Sequence, residues 1–200
     1  MAGTDRGQAY TLEAFIAALL LVSSLTFALQ VTAVTPLSAS TANQHIENQQ
    51  RASASGVLAA GQESDALREA LLYWNTTDEE FHGATRIDYY TNQYPDVKFG
   101  RMLDRAFGGR GLAVNVLVHT EDRTRPQRMV YHGEPSDNAA AASRTVTLYD
   151  DDRVRLANES QGRTLADVDA DGGASFYATD AHDGSLVYNV VRVEVVVWRM

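Results

Sequence analysis

The densest potential chemistry in the sequence is the run Asp167-x-Asp169-x-Asp171-Gly172. Alternate carboxylates followed by a turn-permitting glycine make the first half of a calcium loop, in which hard oxygens converge on a hard cation. The second half is missing, because the twelfth position from Asp167 is Ala178, where such loops carry a bidentate glutamate. The competing reading of the run is a solvated acidic surface. The histidines, at 45, 82, 119, 132 and 182, show no metal-ligand spacing. His119 and His132 could face each other across a hairpin, where cross-strand packing is their simpler role. There is no Gly-x-Ser-x-Gly, phosphate loop or HExxH, and Gly108-Gly109-Arg110-Gly111 fits a helix stop better than a nucleotide loop. The residues therefore predict no enzyme activity and, calcium apart, no cofactor. Asn75-Thr76-Thr77 and Asn158-Glu159-Ser160 have the form of glycosylation acceptors, meaningful only if their domain is exported.

One further charge sits where it is costly. Glu13 abuts Ala14 to Val34, 21 residues without a charge, which as a helix would span ~32 Å, about the bilayer core. A buried core helix is the alternative, but the mean hydropathy of the whole chain is only -0.26, so the segment stands apart from its surroundings. Ser23, Ser24, Thr26, Gln30 and Thr32 are tolerable in a membrane if they bond to their own helix or to a neighbouring one. Arg6, the only cation before the span, places the N-terminus in the cytoplasm and the remainder outside. Thr35-Pro36 predicts a kink or break, since proline disfavours the helical region for the residue before it. Small residues at Val31-Thr32-Ala33 leave open a third fate, cleavage by a secretory signal peptidase and release of the domain, against which the apolar run is longer than the usual ~7 to 15 residues.

Composition narrows the function classes. The 200 residues hold 26 Asp+Glu against 17 Lys+Arg, a net charge of -9, and Lys98 is the sole lysine. An acidic, lysine-poor surface holds water where concentrated salt screens its self-repulsion, which points to a halophilic source. Nucleic-acid binding needs a basic face and none is visible. With no cysteine, disulfides, thiol catalysis and cysteine metal sites are excluded.

Arg6-Gly7-Gln8, then Glu13 and a long apolar helix, resembles the class III signal peptide of archaeal type IV pilin-like proteins. The resemblance implies that a prepilin peptidase cuts between Gly7 and Gln8 on the cytoplasmic side and leaves the apolar helix attached. In that family the glutamate is usually fifth in the mature chain, whereas Glu13 is sixth counting from Gln8. It also implies a role for Glu13, which in a bundle of such helices can pair with the free amine of a neighbouring subunit. Without that resemblance, Glu13 reads as an interfacial residue reaching the headgroups. The stretches RGQAYTLEAF, LQVTAVTPLSAS, QHIENQQRASASGVLAA and NVVRVEVVVW are similar to an uncharacterised group of haloarchaeal membrane proteins.

The elements that must position these residues follow from periodicity. Small or apolar residues at 39, 42, 46, 53, 57 and 60 predict a helical stalk ended by Gly61, with Ser64 capping a short helix through Leu67, Ala70, Leu71 and Trp74. Phe99, Met102, Leu103, Ala106 and Phe107 predict a core-facing helix. Residues 112 to 120 and 127 to 133 read as a hairpin, Asp137 as the cap of a short alanine helix, and 144 to 150 as a third strand. In 186 to 198 the odd positions are valines apart from Asn189, which suits the centre of an antiparallel sheet packed on a helix. Residues 150 to 183 are acidic and glycine-rich, and read as mostly loop.

The expectation is an α+β chain divided into a cytoplasmic or signal segment (1–13), a membrane helix (14–35), a helical stalk (36–74) and an exported, antiparallel domain (75–200), the layout of pilin-like proteins. Its expected role is that of a non-catalytic subunit of an archaeal surface pilus or secretion-type assembly. Its partners would be the membrane, other pilin-like subunits and the prepilin peptidase. The alternative is a bitopic membrane protein whose external domain binds a ligand or partner.

Overall fold

The computed structural model describes residues 4–84 and 88–200, with side chains described for 10–30, 44–84 and 88–200. The fold is α+β. Helix α1 (Thr4–Glu63) is followed by α2 (Ala66–Leu72), a small hairpin of β1 (Trp74–Asn75) and β2 (Glu80–Phe81), and α3 (Lys98–Phe107). The rest of the chain carries β3 (Leu112–His119), β4 (Gln127–Tyr131), β5 (Ala140–Tyr149), β6 (Arg153–Arg155), β7 (Gln161–Thr164), α4 (Leu165–Asp169) and β8 (Val187–Arg199). Two compact units divide the chain, Met1–Ile46 and Glu47–Met200.

In the second unit a four-stranded antiparallel sheet has the order β4-β3-β8-β5, so the valine-rich β8 is interior, as its sequence predicts. Register puts Val114, Val116 and Val118 of β3 opposite Val197, Val195 and Val193 of β8, and Val146 of β5 opposite Val191. These side chains share one face because strand residues alternate. All are buried, in one cluster with Leu58 of α1, Leu67 and Leu71 of α2, and Phe99, Leu103 and Phe107 of α3. The other face carries Leu117 and His119 opposite Glu194 and Arg192, and Ser143 and Thr145 of β5 opposite the same two residues. It is half exposed, the division read from the alternation in β8.

Several local expectations are corrected. Helix α1 is not broken at Thr35-Pro36. Proline removes one intrahelical hydrogen bond, a loss a long helix can absorb as a local adjustment without ending. Nor does Gly61 end α1, which runs on to Glu63. Gly61 instead lets the helix approach α3, since a Cβ there would lie 3.0 Å from Phe99 Cδ2. Ser64 does not cap α2, because its hydroxyl donates back to the Ala60 carbonyl at 2.7 Å and Asp65 takes the N-cap position in a left-handed conformation. Trp74 belongs to β1 and not to the helix before it.

The buried face of α1 in this unit is also displaced by about one residue. It runs through Gln50, Ala54, Leu58 and Gly61, while Ser53 and Ala60 are exposed and Val57 is half-buried. Leu58, the largest apolar side chain of the stretch, sets the register ahead of the smaller ones. Ala39 and Ala42 of the predicted stripe lie outside the described side chains.

The alanine helix does not form. Ala140 to Ala142 extend β5 backwards and pair with Val197, Val196 and Val195 of β8. Four alanines favour helix but are too few to nucleate one, and β8 offers the segment ladder hydrogen bonds along one side. The acidic stretch after Asp150 is more ordered than its composition suggests. It holds β6, β7 and α4, and buries Val154, Leu165, Val168, Phe176, Tyr177 and Ala178.

Candidate functional site

In the first unit, the stretch Tyr10–Gln30 is long and apolar enough to cross a membrane, and none of it is buried in the chain. Its leucines and phenylalanines face outward, with Leu21 at 72% and Phe27 at 70% exposure. In water such a surface is strongly unfavourable, at roughly 25 cal/mol per Å² of apolar area. One polar residue of the stretch, Thr26, bonds to its own helix. Thr26 Oγ1 donates to the Val22 carbonyl one turn back at 2.8 Å, so its hydroxyl needs no outside partner. Glu13 lies inside this stretch, in its first turn, and is exposed, with no ion-pair partner among the described residues. Gly7 and Gln8 lie in the backbone of α1, and the Gln8 side chain lies outside the described ones.

In the second unit, a cleft of about 710 Å³ opens between the segment before α3, the end of α3 and His132. Its walls include Tyr94, Asp96, Arg101, Asp104 and His132, a mixture of both charges with an aromatic ring. Arg101 Nη1 bridges Asp96 at 3.2 Å across the turn that opens α3. That turn is tight because position 100 is glycine, where a Cβ would fall 1.8 Å from the Pro95 carbonyl oxygen. His132 Nδ1 accepts from the Val114 backbone N–H at 3.2 Å, which places the proton of the neutral ring on Nε2. That Nε2 is buried without a hydrogen-bond partner, and burial lowers the imidazole pKa from its ordinary value of 6.5. Burial raises the Tyr94 phenol to about 12, with a smaller push from Asp104. The ring and imidazole lie 5.7 Å apart. The core-facing helix and the Gly108-Gly109 stop after it were legible in the sequence, but the cleft was not, because it joins residues far apart in the chain.

The acidic run does not converge. Asp167 and Asp169 are on α4, where the Thr164 hydroxyl accepts from Asp167 N at 3.1 Å. Asp169 lies 3.5 Å from the Tyr188 hydroxyl, and Asp171 forms an ion pair with Arg163 at 2.6 Å. The hydrogen bond from Arg163 holds the Asp171 carboxyl below its usual range, and that from Thr164 does the same for Asp167. Among the described residues no group of three or more acidic or histidine side chains could hold a metal ion. The helical turn separates carboxylates that an extended loop would have gathered, so the calcium reading has no geometry behind it.

The histidines are likewise dispersed. In the β3–β4 register Asn115 pairs with Tyr131 and Val118 with Gln127, so His132 and His119 sit at opposite ends of the hairpin and do not face each other. His119 Nε2 instead meets Glu194 at 2.9 Å, and His182 meets Glu121 at 2.8 Å. The two glycosylation triplets differ. Asn75 is half-buried in β1, whereas Asn158 is exposed at the tip joining β6 to β7.

Residues 6–197 match a family model, almost the whole chain. The chain belongs to DUF7288, a family of unknown function. No curated protein and no solved structure matches it. Because the match begins at Arg6, DUF7288 takes in the apolar helix together with the α+β unit.

Proposed function

We propose that this DUF7288 chain is a non-catalytic, pilin-like subunit of a cell-surface assembly, anchored by Tyr10–Gln30 with its C-terminal unit outside the cell. The observation that carries the reading is Glu13, an exposed carboxylate without an ion-pair partner among the described residues, in the first turn of the apolar, unburied stretch Tyr10–Gln30 of α1. At a bilayer centre an acid costs ~2.5 to 3.5 kcal/mol, so a carboxylate kept inside a span calls for a partner or a nearby interface. A neighbouring subunit cut after Gly7 offers that partner as the amine of Gln8. The polar, half-exposed sheet face and the scarcity of lysine suit a surface bathed in salt.

Replacing Glu13 with Ala or Gln separates the roles. Both variants should insert in the membrane as the unmodified chain does, while recovery of partner subunits in cross-linked membranes falls at least tenfold. Undiminished recovery from either variant would count against the assembly role. A second reading, a bitopic protein whose outer domain binds a ligand or partner, is favoured by the cleft beside His132. It expects an uncut N-terminus and assembly-independent function.

A further inference from the structure

The two Asn-x-Ser/Thr triplets are equivalent in sequence but not in structure, and the difference selects one as a modification site. We propose that Asn158 carries an N-linked glycan and that Asn75 does not, an inference that rests on export of the second unit. Both polar atoms of the Asn75 carboxamide are engaged. Its Oδ1 accepts from the backbone N–H groups of Thr77 and Asp78 at 3.0 and 3.2 Å, and its Nδ2 donates to the Asp78 carboxylate at 2.7 Å. The nitrogen that would have to attack a sugar is therefore held by a charge-assisted hydrogen bond inside a short hairpin.

Asn158 presents the opposite arrangement. It stands at the exposed tip between β6 and β7, where Glu159 N–H donates to the Leu156 carbonyl at 2.8 Å and Glu159 takes a left-handed φ of 61°. This is a type I turn followed by a left-handed residue, a common way to close a hairpin. The Ser160 hydroxyl and backbone N–H both donate to Asn158 Oδ1, at 2.6 and 3.1 Å. The side chain is thus oriented through its oxygen alone, and Nδ2 has no hydrogen-bond partner among the described residues. The hairpin is anchored, since Tyr73 donates to the Ala157 carbonyl in the turn at 3.2 Å and Arg155 of β6 pairs with Glu69 at 2.8 Å. A free amide nitrogen is held in solvent on an anchored loop.

The donor class is a lipid-linked glycosyl phosphate or pyrophosphate. Nδ2 forms a bond to the sugar C1, the C1–O bond to the lipid phosphate breaks, the phosphate leaves as the anion, and one amide proton passes to a base of the transferring enzyme. The middle residue is Glu159, not proline, and Ser160 supplies the hydroxyl the triplet requires.

The test is peptide mapping of the full chain from native membranes, combined with protease treatment of intact cells. Trypsin should release Leu156–Arg163 with the added mass of a glycan, and the Glu69–Arg86 peptide without it. Asn158→Gln and Ser160→Ala should each abolish the addition, Ser160→Thr should restore it, and Asn75→Gln should leave it unchanged. An unmodified Leu156–Arg163 peptide from a chain whose second unit is digested on intact cells overturns the assignment and leaves export standing. An unmodified peptide from a protected chain overturns export, and the assignment with it. A glycan on Asn75 instead of Asn158 overturns the selection argued from geometry.

Discussion

His132 shows how one residue's surroundings set a measurable property of the chain. Burial holds its imidazole below 6.5, so across the interval beneath that value the unfolded chain binds more protons than the folded one. Stability is then complete above the unfolded pKa and is lost as pH falls through this interval. Protonation also turns Nδ1 from an acceptor into a donor, against the Val114 N–H it now receives. Burial lowers His82 in the same direction. Thermal unfolding of the full chain in detergent should give a Tm that falls between about pH 7 and pH 5. His132→Asn, which keeps an acceptor for Val114, should make that fall shallower, and an unchanged slope would assign it to other groups. Gly100 offers a second residue-level test. Alanine in a helix is normally favoured over glycine by roughly 0.5 to 1 kcal/mol, yet here its Cβ would meet the Pro95 carbonyl at 1.8 Å. Gly100→Ala should therefore lower Tm, and a rise would show that the Pro95 turn yields easily.

The elements most legible in the sequence were those whose pattern is fixed by one dominant face. The valines of β8 and the Phe99, Leu103 and Phe107 stripe of α3 each have a single way to bury themselves, and both are found where periodicity puts them. Reading failed where residues were small or polar. The α1 stripe slipped by one position because alanine, serine and valine give little contrast, and Leu58 decided the matter. The β6, β7 and α4 elements were missed because their buried residues, Val154, Leu165 and Val168, are scattered among charged and polar ones, and the buried Phe176, Tyr177 and Ala178 lie in the loop that follows α4. Burying them depends on distant partners, as in the Tyr177 hydroxyl donating to the Leu71 carbonyl at 3.1 Å. The face of α1 can be checked directly. Leu58→Ala should cost about 2 to 5 kcal/mol of stability, while Ala60→Ser should stay within about 0.5. Equal effects would mean that the helix packs on its small-residue stripe after all.

At the scale of the whole molecule, the chain joins an exposed apolar helix to a folded α+β unit, and the functional proposal depends on what becomes of that helix. The cleft by His132, invisible to motif searching, supplies the rival reading, since a pocket lined by both charges suits a ligand as well as a neighbouring subunit. The acidic run, prominent in the sequence, has been absorbed into α4 and its Arg163 ion pair, so added calcium should not raise Tm beyond the effect of equal ionic strength from another salt. A calcium-specific rise would restore a role for Asp167, Asp169 and Asp171. The most direct measurement is the N-terminus of the protein taken from native membranes, read by mass spectrometry. A mature chain beginning at Gln8 or Ala9, with Tyr10–Gln30 retained, is the expected result. A chain beginning at Met1 or Ala2, or one beginning at Val34 and released from the membrane, would contradict pilin-like assembly.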